Sequence, residues 1–254
     1  MIARYAGGES GARAAARSGS VVVVVDAFRA STTIAVLLWK GARVLPVASV
    51  QEAAAAETDF RIGERGSAKV AGFDFGNSPT EILGSEVPPD STVALSTTNG
   101  TRVVEAARGA GTILTGTFVN AGIVAEELSG AAYDGTEVVV VGCGWEGRRA
   151  SEDETASGAI LHRLRSRGAE LDRRARRVLD AYLSRSMRTL QNNSAARRLK
   201  RLGYEEDLRF CLTEDTVPVA ARLVGDTFVG CVAGSSQPRQ SSALGPTQKA
   251  RICS

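Results

Sequence analysis

The chain has 254 residues, of which 43% are hydrophobic and 23% are charged, so it can bury one large core or two small ones. The formal net charge of +3 gives no strong electrostatic case for a nucleic-acid partner. A single histidine, His162, excludes sites built from several imidazoles and argues against a Ser-His-Asp hydrolase. Chemistry must then come from carboxylates, amides, hydroxyls and arginines, with a hard metal ion as the expected cofactor.

The cysteines and the apolar runs narrow the class of protein further. Four cysteines without C-x-x-C spacing argue against a zinc knuckle or a disulfide framework. The first twenty residues lack the apolar segment of a signal peptide, and no apolar run has the length of a membrane span. We expect a cytoplasmic protein with no membrane and no nucleic-acid partner, and self-association as a homo-oligomer stays open.

Strand and helix patterns alternate along the first half of the chain. The five valines Val21–Val25 predict a strand buried on both faces, at the centre of a largely parallel sheet. AFRASTTIAVLLWKGA follows with helical spacing, and RVLPVA returns to strand. The alternation continues with a helix in VQEAAAAE, a strand in TVALS, a helix in RVVEAARGAG, a strand in TILTG, a helix in NAGIVAEEL and a strand in EVVVVG.

The second half of the chain is more charged. Residues 152–201 predict helices, and DTFVGCVA predicts a closing strand. Thirteen lysines and arginines lie between Arg163 and Arg201 against three acids, which favours either a phosphate-facing surface or a set of solvated helices. We interpret 1–234 as one α/β domain and the Ser/Pro/Gln-rich stretch 235–254 as a flexible C-terminal tail.

The order of elements predicts an α/β protein, a three-layer α/β/α sandwich with a largely parallel, mixed central sheet. In such folds ligands bind at the carboxyl ends of strands. Asp26 ends the valine strand, and Arg29, Thr32 and Thr33 follow it at the start of a helix. A carboxylate there can bind Mg²⁺ or attack phosphorus. The alternative is an N-cap aspartate beside a solvated arginine.

A second polar segment, STTNGTR, lies between a predicted strand and a predicted helix. Main-chain N–H groups, threonine hydroxyls and a helix N-terminus together predict an anion cradle, to which Arg102 would add a charged fork. The alternative is a loop that only caps the helix. The residues concerned are Thr97, Thr98, Asn99, Gly100, Thr101 and Arg102.

A third segment, GERGSAKVAGFDFGNSPTEI, is predicted to be a long polar loop, and its length points to a function. It contributes Glu64, Arg65 and Asn77 as candidate site residues. Local caps and ion pairs are the alternative for some of its carboxylates.

The fourth segment, GCGWEGRRASEDETASG, contains the spacing Gly142-x-Gly144-x-x-Gly147 of a dinucleotide fingerprint. A dinucleotide site needs the helix to open within that motif. Here the S-x-x-E pair Ser151 and Glu154 predicts a capping box and therefore a later start. We do not expect a nucleotide cofactor.

The same segment raises two further alternatives. Cys143 and Arg149 have the C-x5-R spacing of cysteine phosphatases, although Ala150 takes the place of the usual hydroxyl residue. Glu152 and Asp153 are either metal ligands or acids favoured by a helix N-terminal dipole.

Five segments together resemble the 2-phosphosulfolactate phosphatase family, in order and approximate spacing, over about residues 20–232. They are VVDAFRASTTI, GERG with GFDFGNSPTEI, STTNGTR, TGTFVNA and GWEGRRASEDETASG; DAFRAS resembles the more usual DVLRAT of the family. The resemblance implies an Mg²⁺-dependent phosphatase of α/β/α fold that converts 2-phosphosulfolactate to sulfolactate, a step toward coenzyme M. The matching polar residues are Asp26, Arg29, Glu64, Arg65, Asn99, Asn120, Glu152 and Asp153.

We therefore predict hydrolysis of a phosphomonoester on a small anionic hydroxy-acid, with 2-phosphosulfolactate as the first candidate. The predicted catalytic residues are Asp26, Arg29, Glu64, Arg65 and Asn99; substrate would contact Thr32, Thr33, Thr97, Thr98, Gly100, Thr101, Arg102, Asn77 and Asn120; Mg²⁺ would be held by Asp26, Glu152 and Asp153. Attack by Asp26 and attack by activated water both stay open. The alternatives are a cysteine phosphatase and a domain that only binds a phosphorylated metabolite.

Overall fold

The computed structural model describes residues 1–184 and 186–231, so the predicted tail 235–254 lies outside the described residues. One sheet of eleven strands runs through this part of the chain in the order β5-β4-β6-β3-β11-β10-β7-β2-β8-β1-β9. The strands are β1 (Ile2–Gly7), β2 (Val21–Val25), β3 (Arg43–Pro46), β4 (Phe60–Arg65), β5 (Ala68–Lys69), β6 (Thr92–Ser96), β7 (Thr112–Thr115), β8 (Glu137–Gly142), β9 (Glu170–Leu171), β10 (Ala220–Val224) and β11 (Thr227–Cys231).

Eleven α-helices accompany the sheet within the described ranges. They are α1 (Gly8–Arg17), α2 (Ala30–Trp39), α3 (Val50–Ala55), α4 (Pro79–Gly84), α5 (Gly100–Ala106), α6 (Ala121–Leu128), α7 (Ser151–Ser166), α8 (Arg173–Ser184), α9 (Met187–Leu190), α10 (Ser194–Arg201) and α11 (Glu205–Cys211). None of the helices described is both long and apolar enough to cross a membrane. The predicted α/β/α sandwich with a mixed, mostly parallel sheet is confirmed.

The central strand β2 separates two apolar layers. Val22 and Val24 pack into the layer that contains α2, whereas Val21, Val23 and Val25 pack into the layer that contains α6 and α7. All five side chains are buried, so the predicted strand with two buried faces is confirmed. Alternating side chains of one strand thus anchor both helical layers.

The sheet consists of two parallel groups joined by a hairpin. β7, β2, β8, β1 and β9 form one parallel group, and β4, β6 and β3 form the other. Three antiparallel pairings through β10 and β11 connect them, so the groups have opposite sense in the pairing order. Twist of about 20–25° per strand pair turns the directions of β2 and β6 away from simple opposition. The carboxyl ends of β2 and β6 nevertheless approach each other, as described below.

Several local predictions need correction. The N-terminal stretch, which the sequence pattern left unassigned, forms β1 and α1, and β1 pairs in parallel with β8. The predicted polar loop after Gly63 contains the end of β4 and all of β5. The predicted capping box is wrong because Ser151 is the first residue of α7 and Ala150 is its N-cap, with no side-chain cap. The helix does begin after the glycine motif, as expected.

A close helix–helix contact gives a test of the packing. At Gly158 of α7, a Cβ atom would lie 2.5 Å from Tyr182 Cβ and 2.6 Å from the carbonyl oxygen of Val178 in α8. Gly158→Ala should destabilise the protein by about 1–3 kcal/mol through overpacking, against the usual helix gain of about 0.5–1 kcal/mol for this change. Urea unfolding measures the difference. Gly84→Ala, a helical control with no atom within 4 Å of the new Cβ, should not destabilise; equal stability of the two variants would contradict this packing.

Candidate active site

The carboxylate of Asp26 faces the turn that precedes α5. A Cβ atom at Gly100 would lie 2.8 Å from Asp26 Oδ2 and 2.9 Å from Ala30 Cβ. Only glycine leaves room for the carboxylate at that position. The end of β2 and the turn after β6 therefore form one site.

Four acidic side chains crowd around this point: Asp26, Glu64, Glu152 and Asp153. Burial raises the pKa of Asp26 to about 7, with the charges of Glu64 and Glu152 adding to it. Burial likewise raises the pKa of Asp153 well above its usual range, and Asp26 and Glu152 raise it further. Burial is also the main cause of the raised pKa of Glu152. This concentration of negative charge is incompletely compensated by the protein and favours a bound cation.

Glu64 holds two loops together through main-chain hydrogen bonds. Its carboxylate accepts from the amides of Ser67 and Thr98, both at 2.6 Å. The side chain is buried. Glu64 therefore fixes the start of the STTNGTR turn against the loop after β4.

Asp153 also holds two loops together, those that follow β2 and β8. Its two oxygens accept from the amides of Ala27 and Gly144, each at 2.8 Å. Both oxygens of this predicted metal ligand are thus held by main chain. Within residues 1–184 and 186–231 no three Asp, Glu, His or Cys side chains converge closely enough to form a ready-made metal site.

Glu152 and Asp26 are less constrained. Glu152 accepts from Asn193 Nδ2 at 2.8 Å, while its neighbour Ser151 is 3.4 Å away. One hydrogen bond lowers the pKa of Asp26, and it comes from the main-chain amide of Ala30. These two carboxylates are the ones best able to accept an additional ligand.

Arg29 is not a free fork for phosphate. Its guanidinium lies 2.6 Å from Asp207, donates to the carbonyl oxygen of Ser67 at 2.8 Å and stacks over the ring of Tyr204 at 4.1 Å. Both members of the ion pair are only 1% exposed. The side chain therefore connects α11 with the loop at Ser67, which Glu64 also holds.

The other two predicted forks also have protein partners. Arg65 donates to the carbonyl oxygen of Glu64 at 2.6 Å and to Ser96 Oγ at 3.0 Å. Arg102 is 60% exposed and lies 3.3 Å from Glu9. Arg65 therefore braces the end of β6, and Arg102 extends toward Glu9 in α1.

The STTNGTR turn is ordered by its own hydrogen bonds. The amide of Thr101 donates to Thr97 Oγ1 at 3.2 Å, and the amide of Thr97 donates to Thr101 Oγ1 at 3.3 Å. The hydroxyl oxygen of Thr98 is buried without a partner. Asn99 is the N-cap residue of α5 but does not cap it, since its Oδ1 accepts from the amide of Glu146 at 3.3 Å. Hydrogen-bonding capacity toward a ligand remains around Thr98 to Gly100.

Three residues predicted to contact the substrate are buried in the scaffold. Thr32 and Thr33 are fully buried in α2. The amide group of Asn120 accepts from the amide of Thr117 at 2.9 Å and donates to the carbonyl oxygen of Val219 at 3.0 Å. These side chains support the scaffold because their polar atoms face the interior. Asn77 is also buried, and its Oδ1 has no partner.

The cysteine-phosphatase alternative finds no support in the geometry. Cys143 is buried, and burial together with the charges of Asp26 and Asp153 raises the pKa of its thiol well above the usual range. A nucleophilic cysteine needs the opposite shift. Arg149 is 84% exposed and pairs with Glu154.

Sequence reasoning missed one group that covers the acidic cluster. Arg198 of α10 stacks over the ring of Trp145 at 3.6 Å, donates to Ser67 Oγ at 3.0 Å, and its charge lowers the pKa of Glu152. The basic composition of 163–201 was the one available signal, and it did not single out Arg198 from its neighbours.

Comparisons with known proteins identify the family of the chain. The profile of the 2-phosphosulpholactate phosphatase family matches residues 10–225. A protein of Gloeobacter violaceus named "Probable 2-phosphosulfolactate phosphatase" is 37% identical over 79% of this chain and 86% of its own length. Proteins of the same name from Synechocystis and Caldanaerobacter subterraneus are 35% and 33% identical, each over 80% of this chain and over 88% and 87% of their own lengths. Since the profile spans nearly all of the described chain, the protein belongs to the 2-phosphosulfolactate phosphatase family.

Proposed function

We propose that the protein hydrolyses the phosphomonoester of a small anionic hydroxy-acid, with 2-phosphosulfolactate as substrate and sulfolactate and phosphate as products. The observation that carries the proposal is the contact of Asp26 with Gly100, two residues after Thr98, whose buried hydroxyl has no hydrogen-bond partner. The names of the relatives support the choice of substrate. The family resemblance links this reaction to the formation of coenzyme M.

A magnesium ion fits the donor set, and we propose it as the cofactor. Mg²⁺ binds through one or two carboxylates and keeps several water ligands, so it does not need three converging side chains. Asp26 and Glu152 would hold it, since the oxygens of Asp153 are held by main chain. Bound there, the cation would offset the crowded negative charge and polarise the phosphoryl oxygens.

The residues around Asp26 position the phosphoryl group. Glu64 fixes the amide of Thr98, and the glycine at 100 lets the main chain approach the carboxylate. Phosphate oxygens would accept hydrogen bonds from this turn, because donors placed before reaction cost no reorganisation in the transition state.

Two roles for Asp26 fit this geometry: nucleophile toward phosphorus, or base and orienting group for water. Acid quench of the enzyme during turnover of substrate with a labelled phosphate distinguishes the two roles. Label retained on wild-type protein, and absent from Asp26→Asn, shows the nucleophile; unlabelled wild-type protein shows attack by water.

Asp26→Asn should lower kcat/KM for phosphate release from 2-phosphosulfolactate by at least about a hundredfold, because the substitution removes the central negative charge of the site. Initial rates of phosphate release measure the change. Asp134→Asn, on an exposed part of the surface, is the matched control and should retain the wild-type rate. Near-normal turnover by the Asp26 variant would reject the site.

Chelation should abolish phosphate release if the acidic cluster acts with a divalent cation. We expect EDTA to silence the enzyme and added Mg²⁺ to restore the rate, while alkylation of thiols leaves it unchanged, since Cys143 is buried. Full activity in excess EDTA would refute the metal assignment. Ligand-induced stabilisation without phosphate release from any compound would instead support the binding-domain alternative.

Arg29 is proposed as a positioning residue whose partner is Asp207. Asp207→Ala should lower the free energy of unfolding by about 3–5 kcal/mol, because it leaves a buried guanidinium without its counter-charge. Asp226→Ala, which removes an exposed ion pair with Arg108, should change it by less than about 1 kcal/mol. Denaturant titration of both variants gives the comparison. Similar small losses would show that the buried pair does not support the site.

A further inference from the structure

A cavity of about 880 Å³ adjoins the acidic cluster. Asp153, Asn99 and Arg102 belong both to its wall and to the candidate active site. The rest of the wall comes from the end of β1, the start of α1, the loop 144–149 and α8. The cavity therefore extends from the site toward α8, and Arg29 does not line it.

Arginines dominate the charged lining of this cavity. They are Arg13, Arg102, Arg148, Arg149, Arg174 and Arg177. Three of them are paired: Arg13 and Arg102 with Glu9, and Arg149 with Glu154. The other three form no ion pair among the described residues.

Two of the unpaired arginines lie on α8. Arg174 and Arg177 are three residues apart, so their side chains share one face of the helix, and both line the cavity. Two adjacent guanidinium forks without carboxylate partners leave uncompensated positive charge along one wall. Such forks match the oxygens of a sulfonate or a carboxylate.

A neutral donor lies on the same wall. The hydroxyl of Tyr5 is packed so closely against Gly142 that a Cβ atom there would lie 2.7 Å from it. The Tyr5 hydroxyl forms no hydrogen bond within residues 1–184 and 186–231, and the residue lines the cavity. Burial and the charges of Glu154 and Asp153 raise its pKa, so the phenol keeps its proton and can donate to an anion.

We propose that Arg174 and Arg177 bind the non-reacting acid group of the substrate while its phosphate lies at Asp26 and Gly100. This rests on the proposed function and specifies the substrate class: phosphomonoesters that carry a second acid group. The volume exceeds that of a three-carbon acid, so longer members of the class fit as well. Arg29 and Arg65 are not available for this recognition, since protein groups already occupy them.

Substrate selectivity tests the assignment. Arg174→Gln/Arg177→Gln should lower kcat/KM for 2-phosphosulfolactate by about tenfold or more, mainly through KM, because charge-assisted hydrogen bonds are lost. The kcat/KM for phenyl phosphate should change by less than about twofold, because this ester has no second acid group for the two arginines to bind. Arg173→Gln/Arg176→Gln removes equal charge from exposed positions of the same helix outside the cavity lining and should leave both substrates unaffected.

Binding of sulfolactate alone, measured by calorimetry, separates this proposal from the phosphatase activity. Wild type and the 173/176 pair should bind it, and the 174/177 pair should bind at least about tenfold more weakly. If wild type releases no phosphate from either ester, the proposed function fails, yet the same loss of sulfolactate binding still supports the arginine site. Equal losses on both esters, an equal effect of the control pair, or sulfolactate binding that is absent or unchanged throughout would overturn it.

Discussion

Mutual repulsion among buried carboxylates is the constraint on which the site depends. Glu152 raises the pKa of Asp26 and of Asp153, Asp26 raises that of Asp153 further, and burial is the largest cause for all three carboxylates. The fold offsets part of this by directing main-chain amides at Asp153 and Glu64. Each of those hydrogen bonds also fixes a loop. The buried carboxylates that favour a bound cation therefore also hold, through these amides, the loops that would surround a phosphate.

Convergence of these acids does not follow from strand direction alone. The two parallel groups of strands are joined through an antiparallel hairpin, so their carboxyl ends do not share an edge in the simple way of an all-parallel sheet. Contact at Gly100 and the buried helix α2 bring them together. A side chain at position 100 would have to displace Asp26 or Ala30, and either movement would separate the two halves of the site.

Local sequence patterns predicted the secondary structure and the contacts between residues close in the chain. The strands β2 and β6 were predicted because hydrophobic period fixes them. The approach of Asp26 to the STTNGTR turn was predicted from a shared sheet edge, whereas the structure achieves it through the contact at Gly100. The buried pairing of Arg29 was not predicted because its partner, Asp207, lies 178 residues away, and nothing near Arg29 marks the pairing. The hydrogen bonds of Asn120 were not predicted for the same reason, since the acceptor Val219 lies just before β10. Pairing across the chain is set by packing, which no single motif records.

The arginines illustrate how burial separates support from recognition. A guanidinium that neutralises a buried carboxylate, as Arg29 does for Asp207, cannot turn to a substrate without leaving that carboxylate uncompensated. A half-exposed arginine such as Arg102 can exchange Glu9 for another anion at little expense, since solvent screens both states. Arg174 and Arg177 on the cavity wall have no carboxylate partner among the described residues, so an anion that binds them displaces no ion pair. We therefore expect the arginines of α8 to select an acidic substrate and Arg29 to keep the site rigid.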